Sequence, residues 1–291
     1  MGELVLCTST ELYNILNQST KFSRLAEPNY LCLLDARSKR EYNEGHIITA
    51  RRVKQDEDNN FLLPESIELA CMKYCVVYDS RTNSLDGDGP ALECAKVISQ
   101  VCHNPVIVLK GGYEEFSGYY HFFRSQKVFW MPQEIDDFLP YPIEIIPGLL
   151  YMGDHRQAND HHIQKDLKIK SEVNVSLEPT QLSVPIVHTA LPDSQDSDLL
   201  QFFPAACQFI DSNMAPNCAV LVSSTLGMSR SSTVVIAYLM HARKSTLQEA
   251  WNHVHKCKNN MRPNRGFVQQ LSEWEKTILG QQFTDIGDPK F

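Results

Sequence analysis

Val220-Leu221-Val222-Ser223-Ser224-Thr225-Leu226-Gly227-Met228-Ser229-Arg230-Ser231-Ser232 runs straight into Thr233-Val234-Val235-Ile236-Ala237-Tyr238-Leu239-Met240. The opening residues form a short apolar run, the pattern of a buried strand. The closing residues are apolar on nearly every side, the pattern of a buried helix. A strand that turns directly into a helix N-terminus gathers loop N–H groups under the positive end of the helix dipole. Arg230 stands at that turn and adds a planar fork matched to a phosphate. Gly227 supplies the one residue that adopts positive φ without strain. The stretch therefore predicts an anion site framed by Ser224, Thr225, Leu226, Gly227, Met228, Ser229 and Arg230.

Composition narrows the classes. The 291 residues are enough for two ordinary domains, and 43% hydrophobic with 21% charged residues is the balance of a globular chain. No apolar run reaches the length of a membrane span. The net charge is −8, and residues 1–142 hold 14 Lys and Arg against 20 Asp and Glu, so direct duplex nucleic-acid binding is not expected. Nine cysteines without paired spacing fit free thiols in a reducing compartment, and a cytoplasmic location is expected. His253, His255 and Cys257 do not share one helix face, and Asp86-Gly87-Asp88-Gly89 lacks the closing Glu of a calcium loop, so no metal site is expected.

Strand-like runs at Tyr30–Asp35, Cys75–Tyr78 and Pro105–Leu109 alternate with helix-like segments near Glu11–Leu16 and Pro90–Val101. That alternation predicts an α/β domain with a parallel sheet over residues 1–130. Residues 131–142, with three prolines and three acids, read as a linker. A second α/β domain is expected over 143–280, followed by a mobile tail over 281–291.

The 220–232 stretch resembles the signature loop of the cysteine-dependent dual-specificity phosphatases, His-Cys, five residues, Arg-Ser. Here Ser223 stands at the family's His and Ser224 at its Cys. The resemblance extends along the second domain. It includes Ile145–Gly153 as an opening strand, Val173-Asn174-Val175-Ser176 as a central strand whose Asn braces the loop, and Leu191-Pro192-Asp193 as the general-acid loop. Asn259–Phe267 with Trp274-Glu275 matches the last helix pair. Asp193 then occupies the general-acid position. A thiolate works in such a loop because the surrounding dipoles and Arg lower a thiol pKa from about 8.5. A serine hydroxyl there stays protonated and needs a neighbouring base. The resemblance therefore implies a phosphate-holding site with no catalytic residue. Leu226 replaces a smaller residue of the family and is expected to narrow the pocket.

In the first domain, Leu34-Asp35-Ala36-Arg37-Ser38, Glu41-Tyr42, Gly45-His46-Ile47 and Ala50, with Lys110-Gly111-Gly112 later, resemble the rhodanese fold. A working sulfurtransferase has Cys directly after the strand ending in Val77-Tyr78, and Asp79 occupies that position here. Asp cannot carry a persulfide. A rhodanese-like domain ahead of a degenerate phosphatase domain is similar to the pseudophosphatases related to MAP kinase phosphatases. In those relatives the first domain docks kinases through an Arg cluster. Arg51, Arg52 and Lys54 lie next to Asp56-Glu57-Asp58, which fits either such a dock or a solvated mixed-charge loop.

The implied function is a catalytically inactive regulator of phosphorylation signalling, without cofactor. Its expected partners are phosphoproteins or signalling proteins, kinase or phosphatase, with no membrane insertion and with organelle association through a partner left open. A stabilising partner with an empty pocket, or a very weak phosphatase using Ser224, are the alternatives.

Overall fold

The computed structural model describes residues 2–20, 22–64, 67–129, 132–135, 138–181 and 184–291. Two compact units emerge, Met1–Pro140 and Tyr141–Phe291. Met131, Asp136 and Asp137 of the expected linker lie outside the described residues.

The first unit contains β1 (Leu4–Cys7), α1 (Ser9–Leu16), β2 (Leu31–Asp35), α2 (Lys39–Glu44), β3 (His46–Ile47), β4 (Arg51–Arg52), β5 (Tyr74–Tyr78), α3 (Pro90–Ile98), β6 (Val106–Leu109), α4 (Gly112–Tyr119) and β7 (Arg124–Ser125). Its five-stranded sheet has the order β1-β6-β5-β2-β4, with every pair parallel. The central strands read as near-continuous apolar runs because a parallel sheet is covered on both faces. Val76, Val77 and Tyr78 are accordingly fully buried. Helix starts follow their caps. Thr8 with Glu11 and Ser38 with Glu41 form reciprocal capping boxes at α1 and α2.

The second unit contains β8 (Ile143–Ile146), β9 (Leu150–Asp154), α5 (His155–Ala158), α6 (His161–Asp166), β10 (Ile169–Asn174), β11 (Ile186–His188), α7 (Phe203–Asn213), β12 (Ala219–Ser224), α8 (Arg230–Arg243), α9 (Leu247–Cys257) and α10 (Arg265–Leu279). The sheet order is β11-β10-β12-β9-β8, parallel except for the antiparallel β8–β9 pair. The single opening strand expected over Ile145–Gly153 is thus a hairpin, turned at Gly148 with φ +68°. Helix α8 is buried from Arg230 to Met240 and packs against α7, α9 and α10. Burial on all sides overrides the modest helix preference of Thr233, Val234, Val235 and Ile236.

The segment expected as a mobile tail is anchored. Glu275 accepts hydrogen bonds from Phe283 N (2.8 Å), Thr284 N (3.0 Å) and Thr284 Oγ1 (2.7 Å). Phe291, 9% exposed, packs edge-on against Trp251 with ring centroids 4.9 Å apart. Sequence periodicity misses this because the anchor is one buried carboxylate on α10. No helix among the described residues is long and apolar enough to cross a membrane.

Candidate functional site

Strand β12 lies at the centre of the second sheet, so the loop from Ser224 to Arg230 leaves its C-terminal end over the sheet edge where α/β folds place ligands. Gly227 adopts φ +65°, and a Cβ there would lie 2.8 Å from Gly153 C and O, so the turn admits only glycine. Ser224 Oγ accepts from Gly227 N (3.2 Å) and donates to Ser231 Oγ (3.0 Å). The backbone N–H groups of Thr225, Leu226, Met228, Ser229 and Arg230 find no acceptor among the described residues. Donors without an acceptor in the chain are available to an anion or to water. Leu226 lines the groove and is 70% exposed.

Arg230 is 6% exposed. Its Nη1 donates to Leu191 O (2.6 Å) and its Nη2 to Thr225 Oγ1 (3.0 Å), while Nε is buried without a hydrogen-bond partner. The nearest anion to Nε is Asp193 Oδ2 at 4.0 Å. Asp193 Oδ1 accepts from Ser229 Oγ (2.8 Å) and Asn264 Nδ2 (2.9 Å). The loop, Asp193 and Arg230 therefore lie together. In this arrangement the chain's own carboxylate holds Ser229 and faces the guanidinium. These residues open into a groove of about 930 Å³ that also includes Trp251, Met261, Arg262 and Phe291.

Two functional-looking residues escaped sequence reasoning. Glu172, fully buried on β10, accepts hydrogen bonds from Ser223 Oγ and from Thr180 Oγ1, and its Oε2 has no partner. Burial pushes its carboxyl above the ordinary carboxylate range, and Ser223, Thr180, His155 and His188 partly oppose the rise. The available signal was a Glu inside the otherwise apolar Ile169–Asn174 strand. Lys258 follows α9 and is buried; burial pushes its ammonium down to about 8 against the opposing charge of Asp154. Asn174 braces a different loop from the one expected. Its amide donates to Glu178 O (3.1 Å) and Thr180 Oγ1 (2.8 Å), and its Oδ1 accepts from Ser176 N (2.8 Å).

In the first unit, Asp79 follows β5 as the sequence places it. Its Oδ1 accepts from Arg81 N (3.0 Å) and Thr82 N (2.8 Å), and its Oδ2 accepts from Thr82 Oγ1 (2.6 Å) and Ala91 N (3.2 Å). The carboxylate itself fills the nest of donors where strand meets helix. Arg51 and Arg52 form the edge strand β4 and are half-buried, while Lys54 is exposed. Asp56 accepts from Asp58 N (3.0 Å) and Asn60 N (2.8 Å), which ties that acid to its own turn. His253 Nε2 lies 3.0 Å from Ile145 O, and the described residues gather no His, Cys, Asp and Glu cluster that could hold a metal.

Residues 150–277 match the family model described as dual specificity phosphatase, catalytic domain, and residues 19–119 match the rhodanese-like domain. The dual specificity protein phosphatase Mpk3 of Drosophila melanogaster is 36% identical over 142 residues, covering 47% of this chain and 34% of that protein. The dual specificity protein phosphatase 16 of Homo sapiens is 29% identical over 289 residues, covering 89% of this chain and 42% of that protein. Among solved structures, the human tyrosine phosphatase-like serine/threonine/tyrosine-interacting protein is 28% identical with a TM-score of 0.44, covering 48% of this chain and 98% of that one. The chain thus spans less than half the length of these curated relatives.

Proposed function

We propose that this chain, a rhodanese-like domain joined to a dual-specificity-phosphatase-type domain, binds phosphorylated proteins and does not hydrolyse them. The observation that carries this reading is the loop of N–H groups without acceptors around the buried Nε of Arg230, which makes no hydrogen bond. Those groups are the donors an incoming phosphate oxygen requires. Hydrolysis has no support in the same geometry. Ser224 Oγ donates to Ser231 Oγ, and Ser223, at the position where the resembling family carries His, donates to Glu172 instead. Among the described residues no base hydrogen-bonds Ser224, and an unactivated hydroxyl is a poor nucleophile. Asp193 holds Ser229 and has no leaving group to protonate.

By its relatives, the regulated process is phosphorylation signalling of the MAP kinase or stress type, with a kinase or phosphatase as partner. The contact of Arg230 with Leu191 O and the nearness of Asp193 favour a second reading, in which the pocket stays shut and the domain stabilises a signalling enzyme through another surface. One experiment separates binding from turnover. A phosphotyrosine peptide is equilibrated with the protein across a dialysis membrane and analysed by mass spectrometry. The proposal expects the peptide to accumulate on the protein side with its phosphate intact. Release of phosphate above the buffer rate contradicts it, and no accumulation favours the second reading.

A further inference from the structure

Strand β10 lies beside β12 and buries a carboxylate behind the Ser224–Arg230 loop. Glu172 is fully buried, and its Oε1 accepts from Ser223 Oγ on β12 and from Thr180 Oγ1 (2.9 Å). Ser223 is itself fully buried and directly precedes Ser224, where the loop begins. One hydrogen bond and one peptide unit thus separate the Glu172 carboxyl from the loop. Its second oxygen, Oε2, is buried and makes no hydrogen bond.

A buried carboxylate with a bare oxygen is costly as an ion and is relieved by a proton or a facing cation. Among the described residues no Lys or Arg bonds Glu172. Two histidines favour its charged form, His155 past the end of β9 and His188 on β11. His155 is half-buried, and His188 is exposed with Nε2 2.9 Å from Ser176 O. Helix α6, packed on β10, leaves His161, His162 and Lys165 exposed, and its Asp166 accepts from Tyr141 Oη (2.7 Å). Helix α7, also packed on β10, carries Asp211, which Tyr238 and His241 engage. Glu178, in the loop that supplies Thr180, is exposed. Strand β12 brings no ionisable side chain.

We infer that Glu172 sets the charge the loop accepts: a doubly charged anion is held with Glu172 protonated, and its capture draws one proton from solvent onto that carboxyl. The proton goes to Oε2, because Oε1 already accepts two hydrogen bonds. An ionised Glu172 is a like charge close behind the loop and weakens capture of the dianion. By reciprocity, the bound dianion tightens the hold of Glu172 on its proton. Glu172 touches Ser223 and not the ligand, so it is a positioning residue. This rests on the reading of the loop as a phosphate holder.

The probe is inorganic sulfate, because phosphate itself changes charge near neutral pH and sulfate does not. The full chain and Glu172→Gln are titrated with it by calorimetry, in steps from about pH 5 to about pH 8, above the ordinary carboxylate value. The inference expects the unaltered protein to lose about tenfold in affinity across that range, the effect of a one-unit coupling between the two sites. Glu172→Gln, neutral at every step, keeps the tighter affinity. His255, which lines the groove, titrates in both proteins alike. Parallel curves overturn the inference, including a pair displaced by a constant factor, which a purely structural Glu172 would give. Should Glu172→Gln not fold, infrared difference spectra of the unaltered protein on sulfate addition read the carboxyl directly over the same steps. Growth of the protonated-carboxyl band is expected there, and its absence overturns the inference. Parallel curves with sulfate bound remove this inference alone. No sulfate binding by either protein at any step removes the loop reading, and this inference with it.

Discussion

Ser223 and Ser224 carry the chemistry by what they do not supply. On the proposed function, their neighbours Gly227, Ser229, Arg230 and Asp193 frame a phosphate site. Replacing Ser223→His and Ser224→Cys together should therefore raise turnover of an aryl phosphate by about a hundredfold or more over the unaltered protein, since a thiolate in such a field is already a nucleophile. A folded double variant with no gain would mean that the Asp193 contact keeps the site shut. Glu172 gives a second residue-scale outcome. Its carboxyl binds a proton more tightly in the folded protein than in the unfolded chain. Its contribution to stability is thus fully present below the ordinary carboxylate value and is lost as pH rises through the raised one. Urea unfolding from pH 4 upward should show that decline in the unaltered protein, and Glu172→Gln should flatten it. An identical slope in both would exclude Glu172 as its source.

At the scale of elements, the α10 carboxylate Glu275 joins three pieces of chain. It accepts from Leu247 N (2.8 Å) at the start of α9 and from Phe283 and Thr284 in the final segment. Burial raises its carboxyl, and these hydrogen bonds more than reverse the rise, so it lies below the ordinary range. Glu275→Ala leaves buried N–H groups without acceptors and should destabilise the protein by about 2–4 kcal/mol. Hydrogen exchange should then rise across 281–291 while β12 stays protected; unchanged protection of the tail would refute the anchor. Strand β12 leading to Ser223 and Ser224 and the buried helix were legible in the sequence because apolar runs and a single Gly encode them locally. The β8–β9 hairpin, the anchored tail and the Glu172–Ser223 contact were not. Each depends on a partner set by tertiary packing, and Glu172 and Ser223 lie 51 positions apart.

Across the whole molecule, both units carry a strand-to-helix nest at the end of an inner strand, and each presents an acid of its own to it. Asp79 fills the first with four hydrogen bonds. Asp193 only borders the second, holding Ser229 and standing 4.0 Å from Arg230 Nε, which leaves the loop N–H groups unsatisfied. The first nest is closed by its own sequence, and the second still has donors to offer. On the proposed function, that difference directs phosphate recognition to the second unit. It is tested most directly by calorimetric titration of the full chain with a phosphotyrosine peptide and with inorganic phosphate, beside Arg230→Ala. The account predicts saturable binding of both ligands that Arg230→Ala weakens at least about tenfold. Equal binding by the two proteins, or none by either, would contradict it.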